Sequence, residues 1–192
     1  MEPGRILLDR SFHHSGMLKL EEGERRGRPD LVHTTLLSIT GTPLYMDGKI
    51  RIYIHTRNDV VLEIKEGTRI PKSYFRFRGL MEQQLGEQID EDLVQIYELT
   101  LESLIRRKMT PDLVLGLSVQ GRDMKPREFG QKIVAAREPC LVIGGFPRGH
   151  FSPANLRIVD ELVRLGDRPL DAHVVASRIV YEVEKAVSGV ND

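Results

Sequence analysis

The apolar and polar positions divide the chain into three stretches of different character. Near the start, Ile6-Leu7-Leu8 reads as a short strand, and a charged loop, Glu21 to Asp30, follows it. Leu31–Thr40 is apolar and rich in β-branched residues, which predicts a strand closed by the turn signal Gly41-Thr42-Pro43. Asp47-Gly48 is a hairpin signal, and after it Ile50–His55 alternates apolar with polar, as a half-buried strand does. A turn at Asn58-Asp59 leads to another strand, Val60–Ile64. The first third is therefore expected to be β-rich.

The middle reads as helix. Pro71 suits a first helical position, and Tyr74, Phe77, Leu80, Met81 and Leu85 then recur at helical spacing. Leu93, Ile96, Tyr97, Leu101 and Leu104 do so again. Residues 79–105 carry seven acidic side chains and no Lys or Arg, so these helices should present a negative, solvated face.

The last third alternates strand and helix. Asp112–Ser118 and Cys140–Gly145 read as buried strands, with a helix at Arg127–Arg137 between them. Ser152-Pro153 opens a helix running to about Leu165, whose last turn reads equally well as a short third strand. Asp171 caps a terminal helix with Ala172, Val175, Ile179, Val183 and Ala186 on its inner face. Such alternation implies a parallel sheet covered on both faces, in an α/β fold. Ligands bind beyond the carboxyl ends of such strands, which points to the loops after Ser118, after Gly145 and around Gly166–Leu170.

Composition narrows the classes. The chain has 192 residues, 40% of them hydrophobic, which suits one domain with a real core and excludes wholesale disorder. Lys+Arg and Asp+Glu both total 28, so an anionic partner must be met by a local patch. The single cysteine, Cys140, excludes an internal disulfide framework and reads as a core residue. The longest uncharged run, Leu31 to Met46, is too short and too polar to span a bilayer. No signal-peptide core follows the first residues, so a cytoplasmic location is expected. Gly116–Gly121 has P-loop glycine spacing but continues Arg122-Asp123 without the lysine. No GxGxxG, HExxH or GxSxG occurs, and the six His are scattered, so no metal is expected.

Three segments carry candidate chemistry. Gly144-Gly145-Phe146-Pro147-Arg148-Gly149-His150 follows a buried strand, and its glycines let backbone approach a ligand or turn with φ > 0. Alone, it reads equally as an ordinary strand-to-helix turn. Between Lys65 and Arg78 lies a basic run with one acidic residue, Glu66. Arg69, Lys72 and Arg76 are spaced to place three cations on one helix-entry face, with the aromatics Tyr74, Phe75 and Phe77 turned to the core. Arg28-Pro29-Asp30 can hold a guanidinium in one orientation, although by itself it is indistinguishable from a surface turn.

Together these segments resemble the small-subunit ribosomal RNA pseudouridine-N1 methyltransferase family, within the SPOUT class of knotted methyltransferases. The resemblance runs in order through Arg28-Pro29-Asp30, Thr42-Pro43-Leu44, Ile52–Thr56, Arg69-Ile70-Pro71-Lys72, Arg76-Phe77 and Gly79-Leu80-Met81. It closes with Gly144–Gly149 and Pro169-Leu170-Asp171-Ala172. It implies one SPOUT-like domain over residues 1–192, with a C-terminal deep trefoil knot and a β-strand and helical extension at about 40–108. It implies S-adenosylmethionine as methyl donor, held by Leu117, Ser118, Gly144, Gly149, Leu165, Gly166, Asp167, Arg168, Pro169 and Leu170. It also implies a homodimer, small-subunit ribosomal RNA as substrate, and ribosomal assembly proteins as further partners. The RNA-contacting positions map to Arg28, Arg69, Lys72 and Arg76; Lys72 stands where Arg is common, which keeps charge but loses bidentate geometry. Arg28, fixed by Asp30, is expected to bind the flipped-out nucleotide or stabilise its anion, with Asp30 a secondary candidate for general base. Alternatives are a non-catalytic ribosome-assembly factor of the same fold, a knotted transfer-RNA methyltransferase, and a protein-interaction module with a basic patch.

Overall fold

The computed structural model describes residues 7–86 and 90–189. The strand expected at Ile6–Leu8 does not form at Leu7 or Leu8, and Ile6 lies outside the described residues. Instead Asp9 caps a helix, α1 (Arg10–Met17), by accepting the Ser11 N–H at 2.8 Å.

The largest departure from expectation is at residues 31–40, which form a helix, α2 (Pro29–Thr40), and not a strand. Pro29 sits in its first turn, and the Asp30 carboxylate lies at the positive end of the helix dipole. Pro29, His33 and Leu36 fall on one buried face. The threonines that suggested a strand satisfy their hydroxyls inside the helix. Thr35 donates to the Leu31 carbonyl at 2.7 Å and Thr40 to that of Leu36 at 2.9 Å.

A short helix, α3 (Pro43–Met46), follows. Asp47-Gly48 turns the chain out of it, and no hairpin forms there. The hairpin joins β1 (Ile52–His55) to β2 (Val60–Ile64) through Asn58-Asp59, where Asp59 adopts φ 55°. Next comes α4 (Tyr74–Gln84), then β3 (Val94–Glu98), which pairs antiparallel with β2. Thus the second expected helix is divided. Val94 and Ile96 alternate onto the core as strand residues, while Tyr97 on the other face donates to Glu63 Oε2 at 2.7 Å. Helix resumes at α5 (Leu101–Ser103), capped by Thr100, and widens to a π-type segment over Leu104–Met109. The periodicity that spanned the two was a strand followed by a helix.

The last third is a parallel sheet in the order β5-β4-β6, built from β4 (Leu113–Asp123), β5 (Pro139–Ile143) and β6 (Glu161–Arg164). Between them lie α6 (Pro126–Ala135) and α7 (Pro153–Leu156), and α8 (Ala172–Ser188) ends the described chain. The choice left open at Leu165 is decided for the strand. Both faces are covered. Leu115 and Leu117 pack with Phe129 of α6 and Ile179 of α8; Val114 and Cys140 pack with Ile105 and Ile158. Cys140 is thus a core residue, and burial pushes its thiol pKa up to about 11.

β4 runs five residues beyond the expected Ser118. Leu117 and Arg122 both oppose Val163, so residues 118–121 are extruded from the ladder. A Cβ on Gly121 would stand 2.5 Å from backbone atoms of Leu162 and Val163, so only glycine allows the return. The antiparallel sheet has a separate core, in which Leu62, Ile64 and Val94 meet Leu36 of α2 and Phe77 and Met81 of α4. Among the described residues no helix is long and apolar enough to cross a membrane.

Candidate active site at the carboxyl edge of the parallel sheet

The register of the parallel sheet sets Leu117, Ile143 and Val163 level with one another. The chain leaves all three strands on the same side, so Ser118, Gly144 and the Leu165–Leu170 segment share one edge, as the strand alternation predicted. Leu117 and Leu165 are buried in the core below, Ser118 and Leu170 are half-buried, and Asp167, Arg168 and Pro169 are exposed. Gly149 and Gly166 adopt φ values of +91° and +96°, in the left-handed region. Phe146 folds back, so that a Cβ on Gly144 would stand 2.8 Å from its ring. Gly145, Gly149 and Gly166, all exposed, leave the main chain open along this edge, beside the charged Asp167 and Arg168 and the half-buried Phe146. That suits a nucleoside-type ligand held by backbone, as the methyl donor of the resemblance would be.

The second component enters from α2. Arg28 Nε lies 2.8 Å from Asp30 Oδ1, and Arg28 Nη2 lies 2.8 Å from Asp30 Oδ2, a bidentate pair. The Arg28 guanidinium holds the Asp30 carboxyl below its ordinary range, and the carboxylate in turn raises Arg28. This helix entry adjoins the glycine loop, because a Cβ on Gly145 would stand 3.6 Å from Val32 Cγ2. Asp171, at the end of the Leu165–Leu170 segment, acts on Arg28 through space, as does Asp9. Asp171 takes the N-cap position of α8 as expected, but its side chain makes no capping bond.

The basic cluster is brought up by two polar contacts. His33 Nε2 lies 2.7 Å from the Pro71 carbonyl oxygen, and Tyr74 donates its hydroxyl to Asp9. Burial pushes the Asp9 carboxyl up, but hydrogen bonds from Tyr74 and Ser11 outweigh it and leave it lowered. Burial and the same bond raise Tyr74. Arg69, Lys72 and Arg76 are all exposed on this side of α4 and its approach. They do not share a helix face, however. The helix begins only at Tyr74, so Arg69 and Lys72 project from the loop and Arg76 alone from the helix. Nor are all the aromatics core: Phe77 is 1% exposed, but Phe75 is 68% exposed. The acidic stretch expected on helices is distributed over α4 (Glu82), the turn before β3 (Asp90, Glu91 and Asp92), β3 (Glu98) and α5 (Glu102), and Glu87 lies outside the described residues.

Sequence reasoning missed Asp9, His33 and Tyr74, which join the parts of this site. His33 lies where a strand was expected and Asp9 directly follows one, and polar residues in or beside a supposed strand look solvated. The available signal was Pro29 followed by Asp30, a helix-start pair.

The profile of the EMG1/NEP1 methyltransferase family matches residues 1–184. The ribosomal RNA small subunit methyltransferase Nep1 of Thermococcus onnurineus is 41% identical over 186 residues, 95% of this chain and 83% of that protein. Its namesake from Pyrococcus furiosus is 35% identical over 186 residues, 95% of this chain and 82% of that protein. Among solved structures, Archaeoglobus fulgidus Nep1 bound to S-adenosylhomocysteine aligns with a TM-score of 0.79 at 32% identity, covering 95% of this chain and 82% of that one. Matched along nearly its whole length in this way, the chain belongs to the EMG1/NEP1 methyltransferase family.

Proposed function

We propose that this chain transfers a methyl group from S-adenosylmethionine to N1 of a pseudouridine in small-subunit ribosomal RNA. The observation that carries the reading is that α2, which starts at the Arg28–Asp30 pair, packs through Val32 one turn later against Gly145 of the Gly144–Gly149 loop. The donor, when bound, supplies an electrophilic methyl on a sulfonium sulfur. Pseudouridine joins its ring to the sugar through carbon, so N1 keeps a proton. Once that proton leaves to solvent or base, N1 takes the methyl as the sulfur–methyl bond breaks, and neutral S-adenosylhomocysteine remains.

The chain's own residues orient the two partners and stabilise charge. Arg28 receives the nucleotide and balances the ring anion. Asp30, held low by its arginine, is a weak base and a good anchor, which supports a positioning role over proton transfer. Arg69, Lys72 and Arg76 grip flanking phosphates.

The reading includes a C-terminal trefoil knot around the Leu165–Leu170 segment. It is supported by the strand order, in which the chain crosses from one edge of β4 to the other between β5 and β6. It includes a homodimer, supported by the exposed apolar side chains Val134, Tyr181 and Val187 on α6 and α8. It includes an extension to the methyltransferase core at about 40–108, supported by the antiparallel sheet and α4 that lie within it.

Transfer from labelled donor to a small-subunit RNA hairpin tests the function. Methyl should enter the pseudouridine hairpin at N1 and be absent from a uridine control; equal labelling of both would overturn the N1 assignment. Replacing Arg69, Lys72 and Arg76 together with alanine should reduce the slope of log affinity against log salt by about 2, at roughly 0.7–0.9 per lost phosphate contact. Filter binding over a salt series reads this directly, and an unchanged slope would remove the cluster from the interface.

A further inference from the structure

Arg25 ends a short 3-10 turn, Gly23–Arg25, three residues before Arg28. Its side chain reaches across the sequence to the Gly144–His150 loop. The guanidinium carbon lies 5.1 Å from the Phe146 ring centroid, in cation–π geometry. Its Nη2 donates to the His150 carbonyl oxygen. Its Nε lies 3.8 Å from where a Cβ on Gly149 would stand. Glu22 Oε1, 3.3 Å from Nη1, holds the guanidinium from behind. The Phe146 ring is the object around which this loop winds. Gly144 lies against it, Phe151 meets it edge-on at 5.8 Å, and Arg25 covers it. The neighbouring arginine points elsewhere, since Arg26 donates to the Glu21 carbonyl and to the Asn58 side chain.

We propose that Arg25 is a positioning residue that sets the Gly144–His150 loop from the acceptor side of the site and thereby couples donor binding to RNA binding. The inference rests on the reading of this loop as the donor site. A loop with three glycines loses much conformational freedom when it takes a ligand. Arg25 holds it in shape beforehand. Arg25 also shares with Arg28 the short stretch that leads into α2, so RNA on Arg28 stiffens the base from which Arg25 projects. By linkage, a donor that fixes the loop favours RNA to the same degree.

Calorimetric titration of S-adenosylhomocysteine, with and without the RNA hairpin, tests this on five proteins: wild type, Arg25→Ala, Arg25→Lys, Arg26→Ala and Phe146→Leu. Arg25→Ala should weaken S-adenosylhomocysteine binding about tenfold, and Arg25→Lys should recover part of it. Arg26→Ala should stay within about twofold of wild type. Phe146→Leu should weaken binding too, and Arg25→Ala should add little to it, because both remove one clamp. RNA should tighten S-adenosylhomocysteine binding to wild type but not to Arg25→Ala, a difference that lost stability alone would not produce. Wild-type affinity in Arg25→Ala, or an equal loss in Arg26→Ala, would overturn the proposal and leave the donor site standing. Failure of wild type to bind S-adenosylhomocysteine would overturn both. If Arg25→Ala does not fold, Arg25→Gln provides the same comparison.

Discussion

Replacing Arg28 with alanine should lower kcat/KM on a pseudouridine hairpin by about 10²–10³-fold, the order of one charge aimed at a developing anion. The variant keeps the fold, because the pair it breaks is partly exposed and contributes little to stability. Arg28→Lys should recover only a small part, since an ammonium cannot make the two parallel bonds to Asp30. Asp30→Asn separates anchor from base. As an anchor, Asp30 holds the guanidinium plane, so its loss should lower the rate at every pH without changing the shape of the profile. As a base, its loss would remove an acid limb. The carboxyl is depressed in the folded protein, so any stability it adds is present above its unfolded pKa and disappears as pH falls through the lower folded one. That window lies below about pH 4. Across pH 5–9 the wild-type rate should therefore show no limb from Asp30. Steady-state rates over that range decide the matter, and an acid limb that vanishes in Asp30→Asn would restore it as the base.

Phe77→Ala should cost about 3–5 kcal/mol of stability, a large share of the roughly 5–15 kcal/mol that holds a domain together. Phe77 is 1% exposed and lies within the cluster formed by Leu36, Leu62 and Met81. It also stacks on His33 at 4.5 Å, with the rings 19° apart, and so ties α4 to α2. A cavity there loosens the apolar packing that joins the basic cluster to the helix carrying the Arg28–Asp30 pair. Urea denaturation should show the lost stability, and RNA affinity should fall even where the protein remains folded. Phe77→Leu keeps most of the volume and should fall between the two. A loss in Phe77→Ala no larger than a surface substitution gives would mean that α4 is not fastened there.

How far the sequence disclosed this arrangement depends on which force decides each element. In the last third, buried strands and amphipathic helices alternate, and hydrophobic burial alone specifies the pattern. The strands β4 and β5, the helices α6 and α8, and the shared edge for Ser118, Gly144 and Gly166 were legible for that reason, whereas the short α7 and β6 were not separated and the extrusion of residues 118–121 was not visible. In the first third, propensity and burial compete. Thr34, Thr35 and Thr40 favour strand, yet α2 forms because a Pro29–Asp30 start and a buried face of His33 and Leu36 outweigh them. At Leu93–Leu104 a helical period arises by accident across β3 and α5, and only the partner strand β2 decides against it. The paired Arg28 and Asp30 were visible as neighbours in sequence. The through-space influence of Asp9 and Asp171 on Arg28, and the bond from Tyr74 to Asp9, were not, because tertiary packing brings these residues near over long separations.

The central place of β4 has a consequence during synthesis. Both of its partners, β5 and β6, are encoded after it, and the last pairing reaches Arg164. Until the ribosome has delivered that residue, a strand whose first five residues, Leu113–Leu117, are apolar or glycine has an unpaired edge. The antiparallel half suffers no such delay, since its third strand ends at Glu98. A nascent or truncated chain that stops between these two points would therefore carry all three antiparallel strands but an unpaired parallel-strand edge, with α2 still lacking α8, and would depend on chaperones that cover exposed strand edges.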